Sequence, residues 1–512
     1  MNRQLSRASR VCVAALAILM LASSPGAAQV ASESVDLDVV RRIREEGFER
    51  SQLAELAGWL MDVIGPRLTG SPAMRRANEW TAQKFREWGL AAVTIEPWGE
   101  FGRGWERAYY AGMILTPYAQ PLIAQPIAWT GSTNGTVRGS ARLVVVDSMA
   151  DLATYAGELA GAMVLTSPPI AMEPVFDPEP LRTPLEELFE PRQTETGAER
   201  EARYAEYRRK REWQQGVDSA LAAEGVAAIL KPSDRAYSLV RGGGNGAGRD
   251  PARPVPPPEL VVAAEQYNQI YRNVARGLPV ELEINIQNRF YDNDLMAYNT
   301  LAEIPGTDLA DEYVMIGGHL DSWHYGTGAT DNGAGSVVMM EAIRILQALD
   351  LQPRRTIRIA LWSGEEQGIY GSEAWLANHP ELHARISAYL NVDNGSGRLR
   401  GIWDQSNERA IPIFEQLLWP FRDLGVVAVK HGDTGGTDHL SFDEAGVPGF
   451  NFIQDPIDYG THTHHTTADT FERLLLDDLR QAAVVVAATA YHLAMRDKMM
   501  PRKPPEEEPT QD

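Results

Sequence analysis

Residues 312–350 read EYVMIGGHLDSWHYGTGATDNGAGSVVMMEAIRILQALD. The apolar run 312–321 ends on His319 and Asp321. A loop spaced by glycines 326, 328, 333 and 335 follows and carries Asp331. Residues 336–350 then repeat apolar positions at helical spacing. The stretch is thus a buried strand, a loop bearing imidazole and carboxylate, and a helix. The same alternation runs from about 279 to the end. PVELEINIQ, MAYNTLAEI, RTIRIALWSG, ISAYLNVD, VVAVKH and PGFNFIQD read as strands. SEAWLANH, AIPIFEQLLWPFRDLG, DHLSFDEAG and the closing ERLLLDDLRQAAVVVAATAYHLAMRD read as helices. Apolar strands alternating with amphipathic helices predict an α/β fold whose mixed, largely parallel central sheet is flanked by helices.

Working outward, residues 36–98 read as helices followed by the strand AAVTIEPW. Residues from about 120 to 272 differ in texture. TVRGSARLVVVD, GAMVLTS, GVAAILKPS and PELVVAAE are short β runs, and a Pro- and acid-rich stretch spans 167–192. AEREARYAEYRRKREWQQ reads as a solvated helix. The glycines at 242, 243, 244, 246 and 248 have no strand before them and no Lys-Ser/Thr after them. A phosphate loop is therefore excluded and a flexible surface loop expected. The apolar stretch of the closing helix carries His492 and flanking charges, so it reads as a buried helix face and not a membrane span. Residues 497–512 are rich in Pro and Glu and are expected to form a disordered tail.

The chain has 512 residues, with 48 Lys+Arg against 69 Asp+Glu and a formal net charge of −21. Such a surface repels phosphate backbones, which excludes nucleic acid as a partner. The single cysteine, Cys12, excludes a thiolate metal cluster, a disulfide framework and a Cys–His catalytic pair. Cys12 lies in the apolar run VCVAALAILMLA, preceded by Arg3, Arg7 and Arg10 and followed by SSPGAAQ. Basic, apolar and small residues in that order mark residues 1–28 as a signal peptide cut after Ala28. The expected location is exported, periplasmic or extracellular, with no membrane span in the mature chain.

In open α/β sheets ligands bind beyond the carboxyl ends of the strands. His319 and Asp321 follow one β run, with Asp331 in the loop beyond. Glu365 and Glu366 follow a second run, Asp393 a third, and the turn YGTHTHHTTADT a fourth. Packing does not explain His, Asp and Glu at four strand ends, because unpaired ionised groups are costly to bury. Imidazole and carboxylate suit zinc without any thiolate. The loop glycines let Asp331 fold beneath a metal pair and bridge it. The adjacent Glu365 and Glu366 can divide the work, one ligating and the other taking a proton from water. Asp321, two residues after His319, can orient that imidazole. No G-x-S-x-G and no H-E-x-x-H occurs, so neither a nucleophile-elbow hydrolase nor a thermolysin-like site is supported.

At GGHLDSW, GATDNGAG, LWSGEEQGIYGS, NVD and HHTTADT the sequence resembles the co-catalytic di-zinc exopeptidases, a family that includes bacterial leucyl aminopeptidases and glutamate carboxypeptidases. In motifs it is closest to the plasma glutamate carboxypeptidase (carboxypeptidase Q) branch. The resemblance covers 36–118 and 273–496, and it implies a zinc-exopeptidase sandwich there. It implies two Zn2+ per chain held by His319, Asp331, Glu366, Asp393 and His465, with Asp331 bridging and Glu365 as general base. His465 is selected over His462 and His464 because the family's last ligand stands four residues before the Asp of its closing motif, here Asp469. The peptide after the bridging Asp is often cis in the family, so Asp331–Asn332 is expected to be cis.

Residues 119–272 resemble an inserted, β-rich protease-associated domain. Some members place a Tyr before the Ser/Thr-Asp-His motif to steady the oxyanion. Here HGDTGGTDHL has Thr434 near that place, which leaves Tyr459, His462 and His439 as oxyanion or substrate candidates. The implied activity is hydrolysis of terminal peptide bonds of short peptides, as an aminopeptidase or a dipeptidase/carboxypeptidase. Arg241 is a conceivable carboxylate contact, and a homodimer is one assembly open to the chain. The alternatives are a non-catalytic peptide-binding, receptor-like protein on the same fold, or a glutaminyl-cyclase-like transferase with one zinc.

Overall fold

The computed structural model describes residues 33–190 and 197–504. The expected signal peptide, 1–28, and the last part of the expected tail, 505–512, lie outside the described residues. Two eight-stranded sheets organise the rest.

The first sheet runs in the order Ala91–Glu100, Met296–Ile304, Arg355–Trp362, Leu309–His319, Ile386–Asn391, Gly449–Gln454, Leu399–Trp403, Ala428–Lys430. Its central four strands, from Arg355–Trp362 to Gly449–Gln454, are mutually parallel, and the outer pairs include antiparallel neighbours. The architecture is the mixed, largely parallel α/β sheet that the alternating pattern predicts. Side chains alternate across it with period two. Val314, Ile316, Ile357, Ile359 and Leu361 face one core, while Met315, Ala360 and Trp362 face another on the opposite side. The helices Ala334–Ala348 and Leu476–Met495 cover the first face, and both are apolar around nearly their whole circumference because they are buried there. Each fully buried Val, Leu or Ile contributes about 1.5–3 kcal/mol. Among the described residues no helix is long and apolar enough to cross a membrane.

Strand Leu399–Trp403 falls outside the strands read from sequence. Arg400 and Gly401 interrupt its apolar run, and it becomes a strand only because Gly449–Gln454 and Ala428–Lys430 pair with it.

The second sheet runs in the order Gln120–Pro121, Gly104–Ile114, Glu281–Tyr291, Val137–Leu143, Met163–Leu165, Ala228–Pro232, Glu259–Val262, Ala124–Pro126. It takes in strands on both sides of the expected insertion, 119–272. Gly104–Ile114 and Glu281–Tyr291, assigned from sequence to the peptidase part, pair with each other and enter this second sheet. Their alternating patterns suit either sheet, and the partner that decides is far away in sequence.

The glycine loop is also corrected. It is a packed wall and not a flexible surface loop. Gly242 N–H donates to the His465 carbonyl (3.3 Å), Arg241 bridges Thr466, and Gly244 bridges Ala128. A Cβ on Gly248 would lie 2.0 Å from the Trp129 carbonyl oxygen, so only glycine permits this approach. The tail is corrected in part. Met500 is buried and its N–H donates to Ser387 Oγ (3.0 Å), and Lys503 Nζ reaches Asp443 (2.7 Å).

Segment 181–187 runs from the second sheet's half of the chain back to the first sheet. The buried Asp455 accepts from Arg182 Nη1 (3.0 Å), Thr183 N–H (3.0 Å) and Arg400 Nη1 (2.8 Å). Ile457 N–H donates to the Leu181 carbonyl (3.0 Å), and Lys430 Nζ donates to that of Glu187 (3.1 Å).

Candidate metal centre

The four parallel strands deliver their chemistry at one edge. His319 ends Leu309–His319, Glu365 and Glu366 follow Trp362, Asp393 follows Asn391, and His464 and His465 follow Gln454 by way of the histidine-rich turn. Asp331 lies at the centre. Its Oδ1 is 3.4 Å from His319 Nε2, and its Oδ2 is 3.0 Å from His465 Nε2. On the first side Asp393 Oδ1 stands 3.5 Å from His319 Nε2. On the second, Glu366 Oε2 stands 2.9 Å from His465 Nε2, and His464 Nε2 is 3.7 Å from Asp331 Oδ2. Ligand atoms of His319, Asp331 and Asp393 form one compact group, and those of Asp331, His464 and His465 another, each within 4.8 Å. The carboxylate of Asp331 is common to both.

The donor set fits divalent cations. His319 Nε2, Asp331 Oδ2 and Asp393 Oδ1 are buried with no hydrogen-bond partner, although buried polar atoms are almost always paired. They converge on each other, as ligand atoms would. His319 is oriented to ligate through Nε2. Its Nδ1 meets the Asp321 carbonyl (3.0 Å), which can only accept, so Nδ1 donates there and Nε2 is the atom turned toward Asp331 and Asp393. Electrostatics point the same way. Burial works against a charged His319, yet Asp393 and Glu365 hold its pKa well above the ordinary value. Burial likewise opposes charge on His465, but Glu366 and Asp331 raise it to about 10. A cluster this acidic draws positive charge to its centre, the charge a divalent cation would supply.

The surroundings explain the motif spacings. Asp469 Oδ1 accepts from Thr330 N–H (2.6 Å) and Oγ1 (2.8 Å), tying the Asp331 loop to the turn that carries His465. Burial, then Asp331, push Asp469 up to about 7. Asn332 donates to the Val392 carbonyl (2.9 Å), beside Asp393, and the Asp331–Asn332 peptide is cis as expected. A Cβ on Gly335 would meet the Val392 carbonyl oxygen at 2.1 Å. The Trp323 N–H donates to Glu366 Oε1 (3.2 Å).

Asp321 supports His319 through its backbone carbonyl, while its carboxylate, 3.6 Å from Nδ1, accepts from Thr69 (2.8 Å). Glu365 approaches His319 Nε2 at 3.8 Å, outside both donor groups. Burial, then Asp393 and Asp438 against the opposing His319, push its carboxyl well above the ordinary range.

Of the three oxyanion candidates, Tyr459 is the one at the centre. Its ring lies 5.0 Å from that of His464, and burial followed by Asp331 and Asp393 keeps its phenol protonated. His462 turns away, bonded to Thr461 and stacked on Tyr237. His439 is buried with Nε2 on the Thr434 carbonyl (2.9 Å) and belongs to neither donor group.

Arg67 was not legible from sequence. Its buried guanidinium donates to the carbonyls of Leu320 (2.7 Å), Thr327 (2.8 Å) and Gly328 (2.8 Å), beneath the loop that carries Asp331. Nothing in the run VIGPRLTG distinguishes that arginine from a surface one.

A wide cavity of about 620 Å³ opens from Glu366, His465 and Trp323 toward the glycine loop and the second sheet. That volume is typical of a small-ligand site.

Comparison with known proteins agrees. Residues 299–490 match the model of peptidase family M28. Carboxypeptidase Q of Mus musculus is 28% identical over 482 residues, covering 92% of this chain and 91% of that protein. The crystal structure of a peptidase M28 precursor from Shewanella amazonensis superimposes with a TM-score of 0.67 at 24% identity, over 91% of this chain and 98% of that one. BSAP, a zinc aminopeptidase from Bacillus subtilis, gives a TM-score of 0.56 at 18% identity, over 87% and 95%. The family model thus matches the very strands that carry the acidic centre, and the similarity to carboxypeptidase Q extends over nearly the whole chain.

Proposed function

We propose that the protein is an exported di-zinc exopeptidase acting on short peptides. The observation that carries this reading is Asp331, whose two oxygens each face a different histidine and carboxylate pair. His319, Asp331 and Asp393 would hold one zinc, and Asp331, Glu366 and His465 the other. Bound zinc polarises a scissile carbonyl and acidifies water. The chain's own groups do the rest. Glu365 stands beside the donor groups with its pKa lifted by burial. It is suited to take a proton from the attacking water and pass it to the leaving amine. Tyr459, held protonated, offers a donor to the developing oxyanion. Asp321 and Thr69 keep His319 in its ligating orientation. The pattern of residues 1–28 supports export, and the second sheet is read as a protease-associated lobe whose glycine loop walls one side of the site.

Glu365→Gln tests the assignment. It should keep the zinc content measured by elemental analysis, while kcat falls about 10²–10⁴-fold. A kcat near that of the unmodified enzyme would remove Glu365 from the role of base.

A further inference from the structure

The cavity beside the candidate metal centre has a charge balance that points to its ligand. Lys231 is matched to Asp218 (2.9 Å) and Glu259 (2.6 Å), and Arg241 to Asp234 (2.7 Å). Arg241 is thereby neutralised as a carboxylate contact. Glu366 belongs to the centre. That leaves two lining cations, Arg211 and Arg249, with no carboxylate partner among the described residues. Both guanidinium groups belong to or reach one turn. Arg249 ends Gly246–Arg249, and Arg211 lies so close that a Cβ on Gly246 would sit 1.8 Å from its Nη2.

Arg249 is held in place without being satisfied. Its Cζ lies 4.6 Å from the Phe101 ring, 5.5 Å from Tyr370 and 5.9 Å from Trp129. Its Nε and Nη1 are buried and have no hydrogen-bond partner. Rings on several sides fix a guanidinium and strip its water, but they offer no acceptor for its fork of donors. Two contacts link it to the centre. Tyr370 closes the loop that carries Glu365 and Glu366, its N–H on the Gly364 carbonyl (3.2 Å). The rings of Trp129, Trp323 and His465 follow one another at 6.0 and 6.1 Å.

We propose that Arg249, with Arg211 beside it, binds a carboxylate of the substrate beyond the scissile bond, namely the C-terminal carboxylate of a short peptide. The proposal rests on the peptidase reading above and deepens it, because Asp218, Glu259 and Asp234 on this wall are each paired with a lining cation, whereas Arg249 and Arg211 have no carboxylate partner among the described residues. A preorganised, partly desolvated guanidinium binds carboxylate bidentately and at little ordering cost.

The test compares kcat/KM of the zinc-loaded full-length enzyme on two pairs of dipeptides. One pair is Ala-Leu and its C-terminal amide. The other is Ala-Asp amide and Ala-Leu amide. The unmodified enzyme should prefer Ala-Leu over its amide about tenfold to a hundredfold, with no such preference within the second pair. In Arg249→Met the acid-to-amide ratio should fall toward one, at unchanged zinc content. Arg249→Lys should retain part of the ratio, and Arg211→Gln should lower it. These two carry the test if the methionine variant loses its thermal transition. Equal rates on acid and amide in the unmodified enzyme, or a ratio untouched by the substitutions, would overturn the anchor. A preference confined to the second pair would overturn its assignment to the chain terminus. Failure to cleave any of these peptides would instead overturn the peptidase reading.

Discussion

Asp331 concentrates the chemistry of this molecule in one side chain. A residue whose two oxygens face two donor groups has a different deletion signature from one that serves a single group. Asp331→Ala should therefore lose bound zinc from both positions, whereas His465→Ala should lose it mainly from the position it shares with Glu366. Metal analysis of the purified variants reads this directly, and an Asp331→Ala protein that retained full zinc would contradict the bridging role. Most of the centre was legible because His, Asp and Glu fall just past apolar β runs, where a parallel sheet opens its binding edge. What stayed hidden was the support. Arg67 meets Leu320, Thr327 and Gly328 through contacts more than 250 residues apart in sequence. The backbone carbonyl of Asp321, and not its carboxylate, is the group that hydrogen-bonds Nδ1 and orients the His319 ring. Contacts of these two kinds leave no local pattern.

At the scale of elements, the helices that cover the sheet are joined by a buried ionic chain. Arg344, on Ala334–Ala348, donates to Glu341 (2.8 Å) and to Glu46 (2.8 Å) on Leu37–Glu49. Glu46 also pairs with Arg50 (2.5 Å), and Glu341 accepts from Gln52 N–H (3.1 Å). Burial alone would raise the Glu46 carboxyl, but the hydrogen bonds from Arg344 and Arg50 win and hold it below its ordinary 4.5. A folded value below the unfolded one adds stability above about pH 4.5 and loses it as the pH falls through the folded value. Glu46→Gln should thus cost about 1.5–3 kcal/mol at pH 7, and the gap to the unmodified protein should narrow as the pH falls below 4.5 through the folded value. Chemical denaturation at several pH values measures it, and a gap independent of pH would rule the mechanism out. The elements themselves were readable where apolar periodicity was long and unbroken, as in Ala334–Ala348. Leu399–Trp403 was not, because its pairing partners outweigh a sequence that carries arginine and glycine in mid-strand.

For the whole molecule, the two sheets meet through structure that composition disguised. A glycine-rich stretch suggested mobility, yet close packing against Trp129, Trp323 and the His465 turn is what its glycines permit. The Pro- and acid-rich stretch likewise hides a clamp. Asp455 is fully buried and accepts from Arg182, Thr183 and Arg400, and the next turn of chain, 456–465, carries Tyr459, His464 and His465. Holding segment 181–187 and positioning the histidine turn are thus one act. Asp455→Asn removes the charge that organises two guanidinium groups while keeping its shape. Breaking a buried ion pair from one side costs about 3–5 kcal/mol, here partly relieved because Arg182 can reach water. Two effects should follow together. Limited proteolysis should cut within 167–190 faster than in the unmodified protein, and kcat/KM should fall about tenfold or more as the histidine turn loses its registration. Arg182→Ala should accelerate cleavage as well but reduce kcat/KM less, since Arg400 still holds Asp455 at 2.8 Å. If Asp455→Asn loosened the segment and left kcat/KM intact, the clamp would serve stability alone and the histidine turn would owe its place to Asp469 and the glycine wall.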